Sequence, residues 1–573
     1  MTVRLAAGHA LPAALAAFAA ATALAGNDPE ARFRGTGRAD PIRIENVAVK
    51  PSGAEGASAI TFDIAWGHSW RAAWEVAPEQ HGGEGTLKLE NWDAAWVFVK
   101  FRKHGADGYT HATLSTKGAD HEAPTGARLD VGLSNDGKRG MGVFVCRSAP
   151  GHGPNDWKGV TLRWLHGVDR VPDPGAVELK VLAIEMVYVP TCAFWAGDGS
   201  PEPAAQFCAG RTIAPLRIES EEALPLGGDG ERSLGNRDSI GRFWPDDFTS
   251  AITRTLPGPF PKGYAAFYCM KYEIRQGQYV AFLSTLSLAK QGRLARAKVD
   301  GPAGAFIGDG ENADRNRIRL AVSGSRGPAY REVSRRGGVV RTVAQSAATP
   351  AVLQTDAPHV ACGGRTGLDG PAYAAWAGLR PMTELEFEKA CRGPLKPVPG
   401  EYAWGTAAIA GTNNREPPYD GYALHSPGQA DERVTWEGAN GPDVTRGNAA
   451  WNGTVKKGDS SYAANAIGGP LRVGIFATPG SGRVAAGASY WGIMELSGNM
   501  WEATVEVGNH VARRFAGTHG SGTPEPAEGW RSLIVRGGGK GGRRDCHRLL
   551  RTSQRAGVAD QDSVGFRCVR TAP

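Results

Sequence analysis

Cys546 and His547 stand side by side in the run Lys540-Gly541-Gly542-Arg543-Arg544-Asp545-Cys546-His547-Arg548-Leu549-Leu550-Arg551. Three chemistries are open to such a run. A thiol flanked by Arg544, His547 and Arg548 has its thiolate favoured electrostatically, which is the setting of a reactive cysteine. A thiolate beside an imidazole is also a soft donor pair for a metal. The third chemistry is recognition: Lys540, Arg543, Arg544 and Arg548 make a local basic excess that suits an acidic partner, either an acidic protein patch or an anionic glycan. The run is not a core strand, because Arg543, Arg544, Asp545 and His547 could not all be buried without partners. Ile534-Val535 leads into it through Arg536-Gly537-Gly538-Gly539, and Gly565-Phe566-Arg567 follows. It therefore reads as a displayed loop between two anchored ends.

The rest of the chain must supply those anchors. At 573 residues it is too long for one ordinary domain. With 79 Gly and 37 Pro it reads as rich in turns and loops rather than as a helical bundle. A net charge of +7 is small for this length and does not by itself imply a nucleic-acid partner, and none is expected. Of the eight cysteines, none stands in a CxxC or Cys/His zinc spacing.

Residues 1–25 read as a signal peptide. Leu11 to Leu24 is rich in Ala and Leu, and Ala23-Leu24-Ala25 fits the small-x-small cleavage rule, with Gly26 as the first mature residue. The stretch is too short to span a bilayer, and no later segment is apolar for long enough. A secreted, periplasmic or cell-surface protein is expected. In that setting some of the cysteines could pair.

Residues 26–40 are polar and read as a flexible lead-in. Residues 26–180 otherwise read as strand after strand. Ile60 to Trp66, Trp96 to Phe101, Met141 to Cys146 and Val160 to Leu165 are separated by Gly, Pro, Asn and Asp clusters, the pattern of an antiparallel β-sandwich. Val177 to Pro190 is a further strand signal. From 181 to 573 helices appear. Tyr279, Phe282, Leu283 and Leu286 share one face of a helix over Gln276 to Leu288. A short helix runs from Pro371 to Ala377 and stops at Gly378. Thr383-Glu384-Leu385-Glu386 is a capping box that opens another. A stretch rich in Arg, Gly and Ala, about 291–357, reads as a loop insert.

Five motifs in order carry a resemblance. They are Lys271-Tyr272-Glu273-Ile274-Arg275-Gln276-Gly277-Gln278-Tyr279; Trp376 to Glu384 continuing to Arg392-Gly393; Tyr402-Ala403-Trp404-Gly405; Trp491 to Glu502; and the Arg536-Gly537-Gly538 to Gly565-Phe566-Arg567 stretch. Together with Ile184 to Pro190, this part resembles the sulfatase-modifying-factor family, whose founding member is the formylglycine-generating enzyme. The resemblance implies a variant of the C-type lectin fold. The fold class expected is therefore α+β: a C-type lectin-like domain preceded by an all-β sandwich. Most motif residues read as scaffold: Gly498-Asn499 as a tight turn, Trp501 and Phe566 as core anchors, and Arg536 and Arg567 as ties to carbonyls or carboxylates.

In the family, two thiolates hold copper and oxidise a substrate cysteine with oxygen. Aligned on Arg536-Gly537-Gly538, those positions fall on Gly542 and His547. Calcium sites also occur in the family, and Asn413, Asn414 and Ser489 stand near the matching positions. The resemblance further suggests a Cys391–Cys568 bridge, since the separate partners of these cysteines are replaced by Ala374 and Thr552. The same fold serves as the variable protein of diversity-generating retroelements, in which a C-terminal segment is rewritten by adenine-directed mutagenesis. Residues 541–549 are all of types reachable that way. The role expected is non-catalytic binding by Lys540, Arg543, Arg544, Asp545, Cys546, His547, Arg548, Leu549 and Arg551, with no cofactor beyond a structural calcium ion. The alternative is a copper-dependent formylglycine-generating oxidase acting on a sulfatase cysteine.

Overall fold

The computed structural model describes residues 26–51, 53–201, 206–236, 246–295, 298–307, 315–325, 348–363, 369–411, 421–437, 445–451, 455–457, 469–538, 551–553, 555–556 and 564–573. Alternation of apolar and polar residues sets the first strands: β1 (Arg43–Pro51), β2 (Ser58–Val76), β3 (Leu87–Arg102), β4 (Thr110–His111), β5 (Ala127–Leu133), β6 (Gly140–Arg147), β7 (Gly151–Trp164) and β8 (Glu178–Val189). The C-terminal part adds β9 (Phe267–Met270), β10 (Arg380–Pro381), β11 (Trp501–Val505), β12 (Leu533–Arg536), β13 (Val564–Gly565) and β14 (Cys568–Thr571). Its main helices are α1 (Gln276–Leu283), α2 (Gly370–Ala377) and α3 (Glu384–Arg392).

One sheet runs through the protein in the order β1-β2-β3-β8-β9-β14-β10, with β4 to β7 joined at its N-terminal side. β8 is the joint. It pairs antiparallel with β3 from Asp93↔Val187 to Arg102↔Glu178, and with β9 from Met270↔Met186 to Phe267↔Val189. The junction expected at 180/181 lies inside this strand. β3 is buried on both faces. Ala95, Val97, Val99 and Phe101 pack with Ile60, Phe62, Ile64 and Trp66 of β2 and with Val160, Leu162 and Trp164 of β7. The alternate residues Trp92, Ala94, Trp96 and Phe98 enter the core of the C-terminal part, with Trp376, Trp501 and Phe566. The period of two thus gives one strand to two cores.

Asp93, Trp96 and Lys100 find partners at this seam. Asp93 is fully buried and accepts from Ser69 Oγ (2.5 Å), Trp66 Nε1 (3.0 Å) and Trp70 N (3.1 Å). Trp96 Nε1 donates to Ala377 O at 2.8 Å. Lys100 Nζ donates to Trp376 O and Gly522 O, both at 2.7 Å, and burial followed by the Lys290 charge holds its pKa well below the usual lysine value. Lys100→Met should strand those two carbonyls. We expect a loss of about 2 kcal/mol, read as a lower urea midpoint at unchanged slope.

Three expectations need correcting. Residues 26–40 are not a loose lead-in. Asp28 caps a short 3-10 turn, Pro29–Phe33, in which Ala31, Arg32 and Phe33 are buried. The Arg32 guanidinium lies 4.3 Å from the Trp74 ring centroid, and Phe33 packs with Ala477, Ala486, Ala488 and Met494. A stacked guanidinium buries where composition alone reads as solvated. The stretch 291–357 is not loop throughout. A helix, Leu288–Leu294, runs into it, and strands Ile318–Val322 and Val352–Thr355 pair antiparallel. The helix expected over Gln276 to Leu288 ends at Leu283, with Ser284 as its cap.

Candidate functional site

α3 organises the surroundings of the two ends of the segment, Arg536 on one side and Thr552, Ser553 and Arg555 on the other. Thr383 Oγ1 accepts from Glu386 N (3.2 Å), and Glu386 Oε2 accepts from Thr383 N (3.0 Å), the expected capping box. Acidic residues fill the first turn, and Lys389 and Arg392 fill the last, matching the helix dipole. Gly393, at φ +70°, ends the helix. Every residue of α3 is buried, so each charge needs a partner. Glu386 pairs with Arg380 (2.5 and 2.8 Å), Arg392 with Glu401, and Lys389 Nζ donates to Tyr264 O.

Glu384 and Glu388, one turn apart, receive the two ends of the segment. From its N-terminal end, Arg536 Nη1 reaches Glu384 Oε1 at 3.3 Å, and Nη2 reaches Glu388 Oε1 at 2.7 Å. From its C-terminal end, Arg555 makes a fork to both oxygens of Asp246 (2.6 and 2.8 Å) and to Glu384 (2.7 and 3.1 Å). Arg536 Nη2 also donates to Thr552 O at 3.0 Å, so the two ends hold each other. Ser553 Oγ donates to Glu388 Oε2 and accepts from Arg392 Nη2, and Val535 and Ala556 exchange backbone bonds of 3.0 and 3.1 Å. Burial would push the Glu384 carboxyl up, but Arg555 and then Arg536 outweigh it and hold it below its ordinary value.

The segment departs through Gly537 and Gly538, at φ +80° and +62°. A Cβ on Gly537 would stand 2.8 Å from Leu496 O, so backbone sterics demand glycine there. Gly498 and Asn499, also at positive φ, form the turn that donates Gly498 N–H to Gly537 O at 2.8 Å. Asn499 Oδ1 accepts from Leu471 N and its amide donates to Glu273. Arg567 forks onto Glu502 (2.7 to 3.1 Å) and donates to the carbonyls of Met270, Lys271 and Met494. Trp501 and Phe566 are core residues.

A model of the sulfatase-modifying factor enzyme 1-like domain matches residues 261–572. The chain belongs to this family. The match covers just over half of its length and takes in both ends of the displayed segment. No curated protein matches the chain. As a member of the family, the protein raises the question of the copper pair. Gly542 offers no donor side chain, and the described cysteines, Cys146, Cys192, Cys208, Cys269, Cys362, Cys391 and Cys568, are all buried away from solvent. Burial raises the pKa of Cys391 and Cys568 well above the ordinary thiol value. Cys546 and His547, the remaining soft donors of the run, lie outside the described residues. Cys391 and Cys568 are both free thiols lying in different core clusters, which corrects the expected bridge.

Of the expected binding residues, Lys540, Arg543, Arg544, Asp545, Cys546, His547, Arg548 and Leu549 lie outside the described residues. Arg551 is described. Its guanidinium carbon would stand 3.1 Å from a Cβ on Gly400, and its Nε is shielded without a partner among the described residues. Arg551 thus belongs in part to the anchored end. Asn413 and Asn414 also lie outside the described residues. Ser489 Oγ accepts from Ile493 N and Trp491 N, a turn role. Among the described residues no group of three or more His, Cys, Asp or Glu could hold a metal ion. Sequence reasoning missed Asp246, Glu384, Glu388, Thr552, Ser553 and Arg555. The one local signal was the i, i+4 pair Glu384 and Glu388 on a helix otherwise reading as core.

Proposed function

We propose that the protein is an exported, non-catalytic binding protein that presents residues 540–551 to an acidic partner, a protein patch or an anionic glycan. The observation that carries this reading is the pinning of both ends of the segment to α3 by buried ion pairs. A scaffold that bears the ordering cost before the partner arrives leaves the loop's side chains free to spend their contacts on affinity. The replacement of the family's thiolate positions by Gly542 and His547 supports the same reading. The described residues include no helix long and apolar enough to cross a membrane.

The probe is immobilised heparin. We expect retention at low salt that weakens steeply as salt rises, and loss of retention when Lys540, Arg543, Arg544 and Arg548 are all changed to Ser. Equal retention of the two proteins would sink the assignment to this segment. The finer version, a segment diversified by a retroelement, predicts an adjacent reverse transcriptase gene and a near-copy of the coding stretch for 535–570.

Family membership favours a second reading, a copper-dependent oxidase that converts a sulfatase cysteine to formylglycine. Oxygen uptake with copper and a cysteine peptide of sulfatase type separates the two. We expect no turnover above the metal alone; sustained turnover overturns the binding reading.

A further inference from the structure

Most buried arginines of the family domain face a carboxylate, and Arg472 and Arg570 donate to backbone carbonyls, whereas the half-buried Arg275 does neither among the described residues. Arg380, Arg392, Arg536, Arg555 and Arg567 each face a carboxylate within hydrogen-bond reach. Arg275, the residue before α1, is different. Its Nε donates to Gln278 Oε1 at 3.3 Å, and its terminal nitrogens meet no acceptor among the described residues. The nearest acids are occupied: Asp40 accepts from the backbone of Gly67 and His68, and Glu185 pairs with Lys271 at 2.6 Å.

Arg275 opens onto a cleft of about 290 Å³ at the seam between the N-terminal strands and α1 and α2. This lies near the lower end of small-molecule sites, roughly 300–1,000 Å³. Its walls are apolar: Ile42 and Ile44 near β1, Val181 and Leu182 of β8, Ala281 of α1 and Trp376 of α2. Polar groups gather at one end, where Arg275 meets Gln278 and His359. Arg275 and His359 also line a second, small pocket of about 10 Å³, space for about one water. Burial, then the Arg275 and Arg472 charges, pull the His359 pKa down to about 4, so at neutral pH it contributes no charge.

We infer that this cleft binds a small organic acid, its carboxylate on Arg275 and its apolar body along β8 and Trp376. An unpaired guanidinium in an apolar wall is matched by a group that brings both a negative fork and a dry surface. A cation would meet Arg275 in repulsion, and a neutral amphiphile would leave its donors unpaired. The site is separate from residues 540–551 and from the reading given to them.

The test is calorimetric titration of the full chain with decanoate, decanol and decyltrimethylammonium, each below its micellar range. We expect saturable decanoate binding at least about tenfold tighter than decanol, and no binding of the ammonium. Arg275→Gln should bring decanoate to the decanol level while leaving decanol unchanged. Ala281→Trp, which fills the cleft and leaves Arg275 in place, should abolish decanoate binding, and it carries the test should Arg275→Gln fail to fold. Equal affinity for acid and alcohol, an unaltered response in Arg275→Gln or in a folded Ala281→Trp, or no saturable binding by the wild type would each overturn the inference.

Discussion

Arg555→Ala is expected to lower stability by on the order of 3–5 kcal/mol and to loosen the displayed segment with it. Arg555 is buried and serves two carboxylates at once, Asp246 and Glu384. Without it, Glu384 keeps Arg536 at 3.3 Å and the Val507 N–H at 2.8 Å, and Asp246 keeps Asn236 Nδ2 at 2.7 Å. None of these contacts replaces a two-pronged fork, so two buried carboxylates are left undercompensated. The guanidinium also stacks 4.3 Å from the Phe207 centroid, so alanine forfeits packing as well. Arg555→Met keeps most of the volume and isolates the charge; it should recover only a minor part of the loss. Arg555→Lys keeps the charge without the fork and should fall between. Urea unfolding measures all three. Heparin retention of the folded fraction reads the loop, because Arg555 lies just beyond Thr552 and Ser553. A loss below about 1 kcal/mol for the alanine variant, the size of a surface pair, would mean the ties to α3 do not hold the segment.

Such ties are poorly legible in a sequence, and the reason is physical. Alternation announces that Trp96 to Phe101 is a strand, because burial repeats every second residue. Thr383 and Glu386 announce a helix start, because a capping box is local. Both came out as read. Asp246, Glu384, Glu388, Arg536 and Arg555 meet through the tertiary fold, and beyond the i, i+4 spacing of Glu384 and Glu388 no periodicity links them. β8 makes the same point. Its apolar run tells that it is a strand, but not that β3 and β9 flank it and carry one sheet across the junction. Arg32 reads as solvated until Trp74 is placed beneath it. The five ordered motifs named the family because each is tied to a local requirement of the scaffold: a turn at Gly498-Asn499, glycine at Gly537, Arg567 on Glu502. No comparable local requirement can be read from the types of residues 540–550, so their role is left to experiment.

Stability should fall as pH rises from about 5 to about 9, and Glu506→Gln should remove much of that fall. Glu506 follows β11 and is buried; burial first, and then the Glu384 carboxylate, push it up to about 8, with Arg555 opposing. Its Oε2 has no hydrogen-bond partner among the described residues, so ionisation would leave an unmatched charge. Glu495, near Arg567, is pushed up to about 7, by burial before all else. In the unfolded chain both revert to the ordinary value of 4.5. Between that value and 7 to 8 the folded protein holds more protons than the unfolded one. The slope of unfolding free energy against pH is therefore negative: the contribution is complete below the unfolded value and is lost as pH rises through the folded one. For Glu506 the loss is on the order of 5 kcal/mol. Gln cannot ionise, so the variant should keep only the shallower fall that Glu495 contributes and exceed the wild type at the alkaline end. Parallel midpoint curves for the two proteins would show that Glu506 is already ionised in the fold. The position of Glu506 adds a consequence for binding. The proton it loses places a negative charge beside Glu384, the group on which Arg536 and Arg555 converge. Heparin retention in wild type should accordingly weaken over the same alkaline range, and it should do so less in Glu506→Gln.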